Sequence, residues 1–316
     1  MNEQMNAETF AQTFEEIAAN VGRAVLGKKD VIRLALTAMM ARGHLLIEDA
    51  PGTGKTALAR AIAASIDSTA SRIQFTPDLL PSDITGVTMY DQLAGKWEFH
   101  PGPIFAQVVL ADEINRASPK TQSALLEVME EGHVTVDGTA YPASRPFMVI
   151  ATQNPIEQAG TYPLPEAQLD RFLMKIEVGF PPASVGVAVL SGANIADRAS
   201  ELSPVVDADT VNTMIDAAAN VHASDELLAF VWALAQATRE DPEARLGVSI
   251  RGALAMVRAA KVWAGVEGRD YVIPDDVLAL VSHVWEHRIV LDPDAQFSGA
   301  TAAGVLERAI AKVPAP

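Results

Sequence analysis

Apolar positions recur along the chain with two periods, about 3.6 and 2, and their alternation predicts the architecture. Phe10, Phe14, Ile17 and Val21, and then Val31, Ile32, Ala35, Leu36, Met39 and Met40, fall at helical spacing. They predict two amphipathic helices joined by the turn Leu26-Gly27-Lys28-Lys29. His44 to Ile47 is a short apolar run of the kind a buried strand needs, and Leu58, Ile62 and Ile66 behind it predict a helix. Arg72 to Phe75, Val108 to Ala111 and Phe147 to Thr152 read as further strands. Between the last two, Ser118-Pro119 makes a helix start, with a hydroxyl cap and a proline at the first helical position. That helix carries Leu125, Leu126 and Met129 and ends at Gly132. Such alternation of strand and helix predicts an α/β fold around a parallel sheet.

Two stretches break the rhythm. Thr76 to Phe105 holds four prolines and only weak alternation around Val87 to Tyr90 and Trp97 to Phe99, the mark of an insertion on the surface of a core fold. Trp97 and Phe99 there either present an exposed contact or anchor the insertion to the body. Between His133–Val136 and Thr139–Tyr141 lies Asp137-Gly138, a strong local hairpin signal. Beyond Phe180-Pro181-Pro182 only helical spacing remains: Val211, Met214, Ile215 and Ala218; Leu227, Val231 and Leu234; Val277, Leu280, Val281 and Val284. The expected division is therefore an α/β domain over residues 1–182 and an all-α domain over 183–316. The opening of the second, Ala183 to Pro204 with Gly186 and Gly192, is its least regular part. A short helix is expected after Asp292, with a frayed VPAP end.

The chemistry concentrates where strands end. Glu48 to Thr56 reads EDAPGTGKT between an apolar strand and a helix, which is a phosphate-binding loop. Gly52, Thr53 and Gly54 form the curl whose N–H groups face an anion, Lys55 reaches the outer phosphates, and Thr56 offers a hydroxyl to magnesium. The usual pattern puts glycine where this chain has Asp49, so the acid must turn away from the phosphates or repel them. Val108 to Ala111 ends in Asp112-Glu113, an acid able to hold magnesium followed by one able to polarise water. Asn154 ends another strand, either to hold the same water or the γ-phosphate, or simply to form a turn before proline. Arg171 projects at the end of an element, and Arg251 opens a helix, where the dipole disfavours a cation unless an anion compensates. For each arginine, phosphate contact and an intramolecular salt bridge are both open readings.

A net charge of −16 argues against non-specific nucleic-acid binding. Absence of cysteine excludes disulfides and thiolate metal sites. MNEQMNAETF lacks the pattern of a secretion signal and no run of 18 apolar residues occurs, so a cytoplasmic location without membrane insertion is expected.

The block Gly102 to Gly132, GPIFAQVVLADEINRASPKTQSALLEVMEEG, resembles the MoxR family of AAA+ ATPases. The resemblance extends through FMVIATQNPIEQAGTYPLPEAQLDRF, Phe147 to Phe172, and GVSIRGALAMVRAAKVWA, Gly247 to Ala264. It implies an AAA+ P-loop core with a five-stranded parallel sheet and a helical lid. Lys55 and Thr56 then match Walker A, Asp112 and Glu113 Walker B, Asn154 sensor 1, Arg171 the arginine finger and Arg251 sensor 2. Residues 76–105 match the helix-2 insertion, and 132–141 the hairpin before sensor 1. Asp49 fits the recurring EDxPGxGKT form, whereas residues 183–204 lack the heavily charged helix of the family. The resemblance further implies ATP and Mg2+ as cofactors, a hexameric ring of identical subunits, and a client with a von Willebrand factor A domain. It leaves Arg251 open between its own and the neighbouring site. The implied activity is Mg-dependent hydrolysis of ATP by a chaperone-like remodeller. The ATPase subunit of a metal chelatase is the alternative, and a nucleic-acid motor fits the acidic balance less well.

Overall fold

The computed structural model describes residues 5–49, 52–154, 160–181, 183–190 and 198–316. Pro155, Pro182 and Gly192, each singled out in the sequence, lie outside them. Two helices open the chain, α1 (Ala7–Ala24) and α2 (Lys29–Met40), and the first starts where the Asn6 side chain accepts the Thr9 N–H. Strand β1 (Leu45–Glu48) leads through the phosphate loop into α3 (Lys55–Ser65), followed by β2 (Ala70–Gln74). The insertion folds as a short helix, α4 (Pro81–Thr85), and an antiparallel hairpin of β3 (Gly86–Asp91) and β4 (Lys96–Pro101). Next come β5 (Val108–Asp112) and α5 (Pro119–Glu131), then the hairpin β6 (His133–Val136) and β7 (Thr139–Pro142). Asp137 and Gly138 at its tip have φ of 50° and 78°, the positive pair that the Asp-Gly turn supplies. The core closes with β8 (Met148–Gln153), α6 (Glu166–Leu169) and β9 (Met174–Ile176).

Five strands make one parallel sheet in the order β2-β5-β8-β1-β9. Its two faces feed different cores, because strand side chains alternate. Leu45, Ile47, Val108, Leu110 and Ile150 face the N-terminal helices, while Leu46, Val109, Ala111, Val149 and Ala151 face α5 and the insertion. The Gly52–Gly54 turn and Asn154 follow strand C-termini and Asp112 ends β5, so the parallel sheet delivers them to one edge.

The remainder is helical: α7 (Ala183–Leu190), α8 (Ala208–Ala219), α9 (Asp225–Arg239), α10 (Ile250–Val266) and α11 (Pro274–Trp285), then α12 (Pro293–Phe297) and α13 (Ala302–Lys312). One feature escaped the helical reading, a two-stranded ribbon of β10 (Ala244–Leu246) and β11 (Val290–Leu291). Strands this short carry no periodicity to read. The tail after Asp292 forms two helices rather than one. Helix α10 lies against α1, with the Phe10 ring filling the space beside Gly265. Its apolar face therefore continues the core of the first part.

Candidate functional site

One cluster occupies the C-terminal edge of the sheet. Gly52 and Gly54 sit at φ of 84° and 98°, a backbone glycine adopts without strain, and the curl they make hands Lys55 and Thr56 to the first turn of α3. The N-terminal N–H groups of α3 thus point into a cleft of about 500 Å3 lined by Lys55, Thr56, Asp112, Glu113 and Asn154. Lys55 Nζ donates to the Asp49 carbonyl at 3.0 Å, so the ammonium lies across the loop. The Asp49 carboxylate turns away: its Oδ2 accepts the Gly179 N–H at 2.7 Å. That contact accounts for an acid at a position where glycine is usual.

Asp112 and Glu113 are held by residues the sequence reading did not select. Thr152 on β8 donates its hydroxyl to Asp112 Oδ1 at 2.6 Å and accepts the Glu113 N–H at 2.9 Å. Arg72 on β2 reaches Asp112 Oδ2 at 2.6 Å, and Gln74, paired with Asp112 across the strands, donates to Glu113 Oε2 at 2.9 Å. Arg116 meets the same Oε2 at 3.0 Å. Glu113 itself adopts φ 57°, ψ 49°, a left-handed backbone that costs a glutamate of order 1 kcal/mol and lifts its side chain off the strand. The oxygen donors Thr56 and Asp112, both on the cleft wall, suit a hard divalent cation. Alternation along β2 was the available signal for Arg72 and Gln74, but their target depends on strand register.

Arg171 and Arg251 lie elsewhere. Arg171 precedes β9, whose parallel pairing with β1 sets Met174 beside Leu45, so the arginine stands at the N-terminal edge of the sheet. Four residues of β1 separate that edge from the phosphate loop, about 13 Å of strand. The cleft around Arg171 and Arg251 shares no lining residue with the cleft around Lys55 and Asp112. Both arginines close on one carboxylate near the end of α5: Arg171 reaches Glu130 Oε2 at 2.9 Å, and Arg251 binds Glu130 Oε1. The anion expected beside Arg251 is thus present within the chain.

His44, which lines this second cleft, is neutral. Val149 donates its N–H to His44 Nδ1 at 3.0 Å, which leaves Nε2 as the donor to the Met129 carbonyl at 3.0 Å. Burial pushes the imidazole from its ordinary 6.5 down to about 4.

Residues 44–174 match the family model described as "ATPase family associated with various cellular activities (AAA)", and residues 236–309 match the AAA lid domain. "Chaperone MoxR1" of Mycobacterium tuberculosis is 38% identical over 96% of this chain and 82% of its own. The chain belongs to the MoxR family of AAA+ ATPases. "Uncharacterized protein YeaC" of Bacillus subtilis is 47% identical to this MoxR-family chain over 94% of it and 93% of its own length. The crystal structure of a Cytophaga hutchinsonii protein described as a candidate ATPase superposes with a TM-score of 0.90. It is 37% identical, with 98% of this chain and 97% of that one covered. The MoxR-family protein is therefore an ATPase with the AAA+ core and a helical lid. Among its described residues no helix is long and apolar enough to cross a membrane.

Proposed function

We propose that this MoxR-type ATPase works as a cytoplasmic hexameric ring that hydrolyses magnesium-bound ATP to remodel or mature a partner protein or its cofactor. One observation carries the reading: Arg171 and Arg251 converge on Glu130 at the sheet edge remote from their own phosphate loop. Two arginines aligned there suit the γ-phosphate of a neighbour's nucleotide, and their distance from the chain's own cleft supports action in trans for both.

Within one site, Lys55 and the N–H groups of Gly52 to Thr56 would hold the phosphates, while Thr56 and Asp112 would hold magnesium. Magnesium, when bound, would supply positive charge to offset the negative charge of the phosphates. Glu113 polarises the attacking water, with its carboxylate rotamer fixed by Gln74 and Arg116, and Asn154 positions the water or the γ-phosphate. Arginines from the neighbour stabilise the transition-state charge, a contribution of about 10³-fold or more in related chemistry. In this reading residues 1–182 form the ATPase core and 183–316 the lid.

The decisive experiment mixes subunits. Arg171→Ala should bind ATP but not turn it over, and Glu113→Gln should do the same for a different reason. Mixed rings pair an intact arginine face with an intact water-activating site, so activity should return. No recovery at any mixing ratio would sink the shared-site reading. Capture on Glu113→Gln rings should recover a client carrying a von Willebrand factor A domain.

A chelatase subunit is the second reading, favoured by the two hairpins held together by Phe99 stacked on Tyr141 at 4.1 Å. The same contact makes Phe99 an anchor, while Trp97 stays 70% exposed. ATP-dependent stimulation of metal insertion would select this second reading.

A further inference from the structure

Arg288 is the most enclosed cation of the arginine cleft, 7% exposed, in the single turn that follows α11. Burial draws its guanidinium down to about 10, so it remains charged at neutral pH. A buried charge of this kind is tolerated only when its donors are satisfied. Arg288 belongs to the lid, yet most of its partners belong to the core. Nε donates to Asp170 Oδ1 at 2.8 Å, Nη2 to the Phe172 carbonyl at 2.6 Å and the Asp170 carbonyl at 3.2 Å, and Nη1 to the Leu173 carbonyl at 3.2 Å. Those three residues enclose Arg171. Within the lid, Nη1 also meets the Val284 carbonyl and His287 Nε2. The same Nε2 lies 3.2 Å from the Phe172 carbonyl, and burial together with the adjacent guanidinium holds the His287 imidazole well below its ordinary 6.5, so the ring is neutral.

A second tie runs the other way. Asp170 Oδ2 accepts the Ser249 hydroxyl at 2.9 Å, and Ser249 caps α10 two residues before Arg251. Gly252 leaves the room this packing needs, because a Cβ there would fall 2.8 Å from Arg288 Cδ. Asp170 therefore holds one lid residue on each carboxylate oxygen, and its chain neighbour is Arg171.

We propose that Arg288, through Asp170, is a positioning residue that latches the lid to the Arg171 segment, so that Arg171 and Arg251 are presented to the neighbouring subunit as one rigid pair. The inference rests on the trans-acting reading above. Its consequence is mechanical: a change in lid angle carries the core's arginine with the lid's own, so the lid of one subunit sets the catalytic geometry of the next.

The test uses full-length Arg288→Lys, which keeps the charge but loses the planar fork. Turnover should fall about tenfold or more, the scale of an ångström-level misplacement, while the ATP dissociation constant stays within about twofold. Mixing with Glu113→Gln should restore activity, since that partner supplies an intact arginine face. Mixing with Arg171→Ala should restore none, because both lesions lie on the same face. A general folding defect would be rescued by neither.

The control mixture of Arg171→Ala with Glu113→Gln separates the two ideas. If the control fails, the trans reading is wrong; if it succeeds while Arg288→Lys with Glu113→Gln does not, the latch alone is wrong. Should Arg288→Lys fail to fold, as judged by its thermal melt, Asp170→Asn takes its place and must give the same pattern. Wild-type turnover in whichever variant folds would also overturn the latch.

Discussion

His44 ties β1, β8 and the end of α5 together beneath the arginine cleft, and its protonation state makes the tie measurable. As a neutral ring it accepts from Val149 and donates to Met129, the residue before Glu130. Its folded pKa of about 4 lies below the ordinary 6.5, so between those values the unfolded chain binds the proton and the folded one does not. The contribution is therefore complete above about pH 6.5 and is lost as pH falls toward about 4. One pKa unit corresponds to about 1.4 kcal/mol, and moving from neutral to about pH 5 spans about 1.5 units of the window, or about 2 kcal/mol. Other groups titrate over the same range, the buried His287 among them with a shift of the same sign. The useful quantity is thus the difference in unfolding free energy between wild type and His44→Gln, in which their contributions cancel. At neutral pH the variant should be less stable by about 1–3 kcal/mol, the cost of disrupting a buried hydrogen-bonded pair. At about pH 5 that gap should narrow by about 2 kcal/mol, because only the wild type loses the histidine contribution. Urea unfolding followed by tryptophan fluorescence at both pH values measures it. A gap that stays constant or widens on acidification would refute the assignment of a neutral, twice-bonded His44.

Asp49→Gly restores the usual glycine of a phosphate loop yet removes the acceptor of the Gly179 N–H, so it should destabilise the chain by about 1.5–3 kcal/mol in urea unfolding; a neutral or stabilising result would deny the contact any weight. Glu113→Gln should retain ATP binding while turnover falls by about 100-fold or more, which stopped-flow binding and phosphate release separate. For Gly252→Ala, helix propensity alone predicts a gain of about 1 kcal/mol, whereas the crowding of Arg288 predicts a loss, so the sign of the change in thermal stability decides. Chelation of magnesium should abolish hydrolysis in every variant, with recovery on adding it back.

Features set by local spacing were legible in the sequence. Gly52 and Gly54 announce the tight turn that opens α3 at Lys55 because it depends on a few consecutive backbone angles, and Asp137-Gly138 fixes a hairpin in the same way. The end of an apolar strand is equally local, which is why the placement of Asp112, Glu113 and Asn154 around one cleft could be read from spacing. Features that depend on register or chain crossing were not legible. Gln74 meets Glu113 only because β2 pairs with β5 in one register, and β9 has three residues, too few to display a period. Arg171 and Arg251 could be suspected singly, but Glu130, which gathers them, stands among the acids of an ordinary amphipathic helix.

Arg288 is the extreme case, and the reason lies in what it binds. A salt bridge can be guessed from two complementary side chains at a suitable spacing. Four of the groups that Arg288 binds are main-chain carbonyls, those of Asp170, Phe172, Leu173 and Val284, and every residue carries one. Partners of that kind leave no trace in composition. Glu286-His287-Arg288 accordingly reads as the polar end of a helix, although His287 and Arg288 are both buried. A latch built on carbonyls constrains the position of the backbone rather than the identity of the side chains above it. The 170–173 segment can thus hold Arg171 in place without engaging its guanidinium, which pairs with Glu130 beside Arg251.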